Sequence, residues 1–163
     1  MIIVIMGVCG SGKSTVGKQL ARELKMIFHE GDDLHSEASV NKMSRGEPLT
    51  ELEREPWLKS VREVIDNHLE KGSEAVITCS ALSQKSRQIL GTNRNEVRLI
   101  YLHAPQPVLM ERLSGRENHF MPPNLLESQL ETLEEPHASE ALFVRVDEPL
   151  SGIITQIIRN LKS

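Results

Sequence analysis

The sequence predicts an α/β domain of three layers, α/β/α, built on a five-stranded parallel sheet. Three observations predict it. Short, β-branched apolar runs alternate with longer stretches of helical period along the whole chain. No repeat, low-complexity tract or linker breaks that alternation. The length of 163 residues fits one domain, spanning 1–163.

Met1–Met6 reads as a buried strand that Gly7 stops. Lys13–Lys25 has helical spacing at Val16, Leu20 and Leu24, and Met26–His29 is a short second strand. Glu37–Arg45 forms a helix ended by Gly46 and Pro48. Thr50 and Glu53 have the spacing of a capping box, which opens a long helix to about Lys71, with Gly72 as its stop. Pro56 lies inside that helix and predicts a kink or a later start. Glu74–Thr78 is the third strand, Ser83–Leu90 a helix, and Val97–Leu102 the fourth strand. Pro105–Leu113 is helical with its prolines at the start, where they are tolerated. A polar loop at Gly115–Pro123 precedes a helix at Leu125–Leu133. Ala141–Val146 is the fifth strand, and Leu150–Leu161 closes the chain as a helix. Right-handed crossovers between such strands place a ligand outside their carboxyl ends.

Composition narrows the function. Apolar residues make up 39% of the chain, enough for a core, but aromatics only 3%, so the core rests on Ile, Leu, Val and Met. The net charge of −4 comes without a basic tail or run, which argues against a nucleic-acid partner. Met1–Met6 is too short for a signal core or a membrane span, so no membrane partner is expected. Cys9 and Cys79 have no metal-type spacing and read as small buried residues, reduced in a cytoplasmic setting.

Gly7-Val8-Cys9-Gly10-Ser11-Gly12-Lys13-Ser14 matches G-x-x-x-x-G-K-[ST] in full, between a predicted strand and a predicted helix. This is a P-loop. Its glycines let backbone N–H groups turn inward around phosphate oxygens, and the helix that follows, through Thr15, aims its positive end at them. ATP is the expected ligand. Lys13 should reach its β- and γ-phosphates, and Ser14 should hold Mg²⁺.

The acids place it within the P-loop class. Asn41-Lys42-Met43-Ser44 lacks the carboxylate with which N-K-x-D reads guanine. Neither Thr78-Cys79-Ser80 nor His103-Ala104-Pro105 ends its strand in an acid, as motor and transport ATPases require. Carboxylates instead follow the second strand, in Glu30-Gly31-Asp32-Asp33. Small kinases that phosphorylate hydroxyls use this arrangement. Asp32 is the candidate catalytic base, Asp33 its competitor, and Glu30 could hold Mg²⁺ through water. Arg112 and Arg116, four apart, can share a helix face and clamp phosphate. The segment of about 112–136 reads as a lid that excludes water from the site.

The chain resembles the gluconokinase family, the small P-loop kinases related to shikimate kinase, over nearly its whole length. The resemblance rests on Gly7–Ser14; Gly31-Asp32-Asp33-Leu34-His35; Lys42-Met43 with Gly46-x-Pro48-Leu49; Arg54-x-Pro56-Trp57-Leu58; Cys79-Ser80-Ala81-Leu82; and Arg116-x-x-His119-Phe120. It continues in Leu125-Leu126-x-Ser128-Gln129-x-x-Thr132-Leu133-Glu134-x-Pro136 and Val146-Asp147-x-Pro149-Leu150. The resemblance implies a P-loop kinase fold of strand order 2-3-1-4-5 with a helical lid. It implies transfer of the ATP γ-phosphate to the 6-hydroxyl of D-gluconate, with Mg²⁺, commonly in a homodimer. It matches Asp32 to the substrate-binding acid, and His35 to a histidine beside the sugar-acid pocket. Arg87 falls where a cation could meet the gluconate carboxylate. Arg116 and His119 match the lid, and Pro149 the packing of adenine.

Three positions depart from the pattern. Ser39, Ser83 and Ser86 stand where Asn, Lys and Tyr are usual. Two other readings remain. One is a kinase of another small hydroxyl substrate, such as shikimate or another sugar acid. The other is an ATP-binding regulatory module without turnover.

Overall fold

The structure, a computed structural model, describes residues 1–114 and 124–163. Five strands form one sheet: β1 (Ile2–Met6), β2 (Ile27–Glu30), β3 (Ala75–Thr78), β4 (Val97–His103) and β5 (Ala141–Arg145). Every pairing is parallel and the order is β2-β3-β1-β4-β5, as expected. The helices are α1 (Lys13–Leu24), α2 (Glu37–Ser44), α3 (Glu51–Lys71), α4 (Gln84–Leu90), α5 (Gln106–Ser114), α6 (Asn124–Thr132) and α7 (Leu150–Leu161).

β1 lies at the centre and is buried on both faces, which is why its sequence is continuously apolar rather than alternating. Ile2, Val4 and Met6 pack under α3 and α4, through Leu58, Val61, Ile65 and Leu90. Ile3 and Ile5 pack on the other side against α1 and α7, through Val16, Leu20, Ile153 and Ile157. A third cluster sits above the carboxyl ends of the strands. In it Val8 and Cys9 of the P-loop meet Met43 and Leu49 near α2, and Leu125 and Leu126 of α6. That cluster fixes the helices around the site to the loop at its centre.

Two elements differ from expectation. β2 extends to Glu30, which pairs in register with Thr78 of β3, so Glu30 belongs to the sheet and not to an acidic loop. A 3₁₀ turn, Gly31–Leu34, follows it. α3 runs unbroken through Pro56, starting at the Thr50–Glu53 capping box. Pro56 removes the N–H that would bond the carbonyl of Leu52, four residues back. Leu52 is 81% exposed, so water can satisfy that carbonyl. Of the expected lid, the end of α5 and all of α6 are described; Gly115–Pro123 lies outside the described residues. No helix among the described residues is long and apolar enough to cross a membrane.

Candidate active site

The P-loop sits between β1 and α1. Gly12 is the N-cap of α1 in the left-handed region, φ 88°, with no side-chain cap bond. A side chain there would strain the turn, and the first-turn amides beyond it have no intrahelical acceptors. They face the strand ends with the positive pole of the helix behind them. Lys13 Nζ folds over the loop and donates to the carbonyls of Gly7 (2.9 Å) and Val8 (3.1 Å). Three loop amides are engaged within the protein: Gly7 N–H donates to Ser80 O (3.3 Å), Ser11 N–H to Val8 O (3.2 Å), and Cys9 N–H to Gln129 Oε1 (2.6 Å). The cradle for phosphate therefore centres on the opening of α1, from Gly12 through Thr15. Arg112 reaches over from α5, within 3.7 Å of the position a Gly12 Cβ would take, and donates to Val146 O.

Beside the loop, Glu30 holds two hydroxyls. Ser14 Oγ donates to one of its carboxylate oxygens, and Thr78 Oγ1 to the other at 2.6 Å. Gly31 N–H closes the chain by donating to Thr78 Oγ1 (3.1 Å). A Cβ on Gly31 would lie 1.8 Å from Thr78 O, so only glycine lets the acidic segment approach β3 this closely. Ser14 and Glu30 offer hard oxygen donors suited to Mg²⁺. No group of three or more His, Cys, Asp or Glu among the described residues could hold a metal ion by itself.

In the 3₁₀ turn after β2, Asp32 is half-buried and Asp33 is exposed. Asp32 Oδ1 lies 4.0 Å from His35 Nε2. His35 stacks on Trp57, with ring centroids 4.0 Å apart and planes at 18°. Trp57 donates its Nε1–H to Gly31 O (2.7 Å), which ties α3 to the acidic turn. The His35 side chain is 2% exposed, and burial pushes its pKa down to about 4, so the ring is neutral at pH 7. Its Nδ1 is buried without a hydrogen-bond partner.

His35 and Trp57 wall a cavity of about 220 Å³, with Arg54, Ser80, Gln129 and Thr132 among its other lining residues. Arg54 is the cation of this wall, and its Nε is buried without a partner. Burial opposes its charge and Glu51 supports it. A buried guanidinium N–H left open at a cavity wall is suited to an anion. The Cys79 thiol is pushed up to about 12 by burial, against a backbone hydrogen bond at Ala81; Asp32 raises it further and Lys13 lowers it.

Arg87 stands elsewhere. Its guanidinium is buried and donates to the carbonyls of Ala81 (2.9 Å), Leu82 (3.3 Å) and Glu134 (2.8 Å). These bonds brace the turn after β3, where Ala81 adopts φ 47°, against the segment after α6. Arg87 does not line the cavity that Arg54 lines. Position within the Arg54-x-Pro56-Trp57 segment, one turn into a helix that begins beside the strand ends, was the sequence signal for Arg54. The departures from the family pattern also acquire local roles. Ser83 caps α4 by accepting Ser86 N–H (3.0 Å), and the Ser39 N–H donates to the α2 cap Ser36 (3.1 Å). Pro149 is the N-cap of α7, in the loop that follows the Val146 carbonyl bonded by Arg112. Arg116 and His119 lie outside the described residues.

Comparison with known proteins agrees with this architecture. The family model described as shikimate kinase matches residues 9–162. A probable gluconokinase of Xenopus tropicalis is 39% identical over 173 residues, covering 96% of this chain and 91% of that protein. The thermoresistant gluconokinase of Escherichia coli (strain K12) is 37% identical, covering 99% of this chain and 93% of that protein. The crystal structure of a gluconokinase from Sinorhizobium meliloti 1021 superposes with a TM-score of 0.83 at 38% identity, over 98% of this chain and 94% of that one.

Proposed function

This chain belongs to the gluconokinase family within the shikimate kinase group, and we propose that it transfers the γ-phosphoryl group of ATP to the 6-hydroxyl of D-gluconate. The products are 6-phospho-D-gluconate and ADP. One observation carries the acceptor: a cavity of about 220 Å³ beside the P-loop, with Arg54 in its wall and Asp32 next to its His35. A sugar acid presents a carboxylate at one end and a primary hydroxyl at the other. The cavity answers with a cation and an acid.

The proposal gives each residue a role. Lys13 exchanges the Gly7 and Val8 carbonyls for phosphate oxygens and neutralises charge at the transferring group. The first-turn amides of α1 hold the phosphates in line. Ser14 and Glu30 would hold Mg²⁺, which supplies charge neutralisation across the β- and γ-phosphates. Asp32 orients the acceptor hydroxyl and takes its proton as the bond to phosphorus forms. His35, neutral and stacked on Trp57, packs beside Asp32 without competing for its charge. Arg54 pairs with the gluconate carboxylate, a role it fills in preference to Arg87, whose guanidinium serves backbone carbonyls. Arg112 and Pro149 border the nucleotide, and Arg116 and His119 act from the lid. The enzyme works as a cytoplasmic homodimer.

A coupled ADP-release assay over gluconate, other sugar acids, polyols and shikimate tests the proposal. Turnover that depends on gluconate, and exceeds that with shikimate, is the expected result. Equal or greater turnover with shikimate would overturn the acceptor.

A further inference from the structure

β3 does not end in an acid, but Glu30 brings a carboxylate to its end from the neighbouring strand, since Glu30 of β2 pairs in register with Thr78. Thr78 Oγ1 donates to Glu30 Oε1 at 2.6 Å and accepts the Gly31 N–H at 3.1 Å. A hydroxyl has one proton to give, and Thr78 gives it to Glu30. The Thr78 side chain is buried, and its own methyl fixes its direction. A Cβ at Gly17 of α1 would lie 3.1 Å from Thr78 Cγ2, so the methyl is seated against that helix. A β-branched side chain has little freedom at χ1, and with its methyl held the hydroxyl stays aimed at Glu30. The other Glu30 oxygen accepts the proton of Ser14 Oγ. With that proton committed, Ser14 has only oxygen lone pairs to offer at the opening of α1. Such hard oxygen donors are the ones Mg²⁺ takes.

We propose that Thr78 is a positioning residue for Mg²⁺: it holds the Glu30 carboxylate so that Glu30 keeps the Ser14 proton and leaves the Ser14 oxygen for the metal. This role rests on the Mg²⁺–nucleotide reading above and goes beyond it, because Thr78 acts only through another side chain. Without the Thr78 hydroxyl, Glu30 loses the hydrogen bond that fixes one of its oxygens. Mg²⁺ demands near-ideal octahedral geometry at about 2.0–2.1 Å, so a ligand set that is no longer held loses affinity for it. The loss falls on the metal and spares the first-turn amides of α1, which hold the phosphates.

Titration calorimetry of ADP, in EDTA and in excess Mg²⁺, separates the metal from the phosphates without turnover. The wild-type protein should bind ADP more tightly with Mg²⁺. Thr78→Val keeps the methyl packing and removes the hydroxyl. It should lose most of that gain and keep the ADP affinity seen in EDTA. It should also raise the Mg²⁺ concentration for half-maximal turnover by about 10- to 100-fold, the usual cost of losing a partner of a metal ligand. Thr78→Ser keeps the hydroxyl without the methyl that aims it, and should fall between the two. A merely structural Thr78 would lower the melting temperature of Thr78→Val while its Mg²⁺ gain and Mg²⁺ requirement stay at the wild-type values, and that result overturns the proposal. Wild-type protein whose ADP affinity ignores Mg²⁺ overturns the metal reading and the proposal together. Loss of the Mg²⁺ gain in Thr78→Val, in a protein that does not phosphorylate gluconate, upholds the proposal and overturns only the acceptor.

Discussion

The P-loop is made from eight consecutive residues, Gly7–Ser14, whereas the cavity beside it is walled from six separate segments between His35 and Thr132. The first is mostly backbone: amides, a helix pole and one lysine. The second is side chains, brought from the residue that ends the 3₁₀ turn, α2, the α2–α3 connection, α3, the turn after β3 and α6. A backbone site tolerates variation in its neighbours, because any residue supplies an N–H. A side-chain site changes its ligand with each substitution. The contrast explains how one phosphate end can serve kinases of many acceptors, with the acceptor chosen by the walls alone. Gln129 is where the two kinds of construction meet.

The comparison breaks most sharply at the reacting hydroxyl. Asp32→Asn should lower kcat by about 10²- to 10⁴-fold, the usual contribution of a positioned base, and leave ATP affinity unchanged. Steady-state kinetics alongside nucleotide titration checks it, and near-normal kcat would remove Asp32 from the mechanism. On the phosphate side, Lys13→Ala should cost about 10²- to 10³-fold in kcat/KM for every acceptor tried, since it acts on the transferring group and not on the cavity. A loss confined to gluconate would erase the division between the two regions.

The next pair separates two buried arginines. Arg54→Met should raise the gluconate KM by ~10- to 100-fold, in line with the loss of a charged hydrogen bond of about 1.5–3 kcal/mol, with little change in the ATP KM. Arg87→Met should do the reverse: near-normal KM values, but a melting temperature lower by several degrees. It strands the Ala81, Leu82 and Glu134 carbonyls, at about 1–3 kcal/mol for each one left buried without a partner. If Arg87→Met instead abolished gluconate binding at unchanged stability, the carboxylate would belong to Arg87.

These two arginines also mark how far the sequence could be read. The strand–loop–helix of the P-loop, the strand order and nearly every element were legible, because hydrophobic period and a contiguous motif are local signals. Asp32 was expected from its place after β2, and it lies 4.0 Å from His35 at the cavity wall. Arg87 was expected at the carboxylate because it follows the Cys79–Leu82 segment; its guanidinium donates to the Ala81, Leu82 and Glu134 carbonyls, contacts that no local pattern announces. The position of Arg54 depends on how α3 crosses the strand ends, and that crossing is set by Trp57 bonding Gly31 O and by packing on Ile2, Val4 and Met6. Glu30 was read as part of an acidic loop; its place in the sheet depends on Thr78, which is 48 residues away. Pro56 misled for a local reason: the carbonyl it leaves open is at an exposed residue, where water suffices.

The smallest expected effect is on stability and pH. His35 is neutral in the folded protein, with a pKa of about 4 against the ordinary 6.5. Its contribution is fully present above pH 6.5. It declines as the pH falls toward 4, because the unfolded chain takes up the proton first. Melting temperatures between pH 7 and pH 4.5 should therefore fall less steeply for His35→Phe, which keeps the stack on Trp57, than for the wild type. Parallel slopes would mean that the ring is not held neutral by burial.

The most direct test of the account identifies the product. Phosphorus NMR of wild-type protein with ATP, Mg²⁺ and gluconate should show a sugar-phosphate monoester growing one for one with ADP, while ATP stays intact when gluconate is left out. Inorganic phosphate released at the same rate with and without gluconate would contradict it, leaving a phosphate site whose neighbouring cavity selects no acceptor.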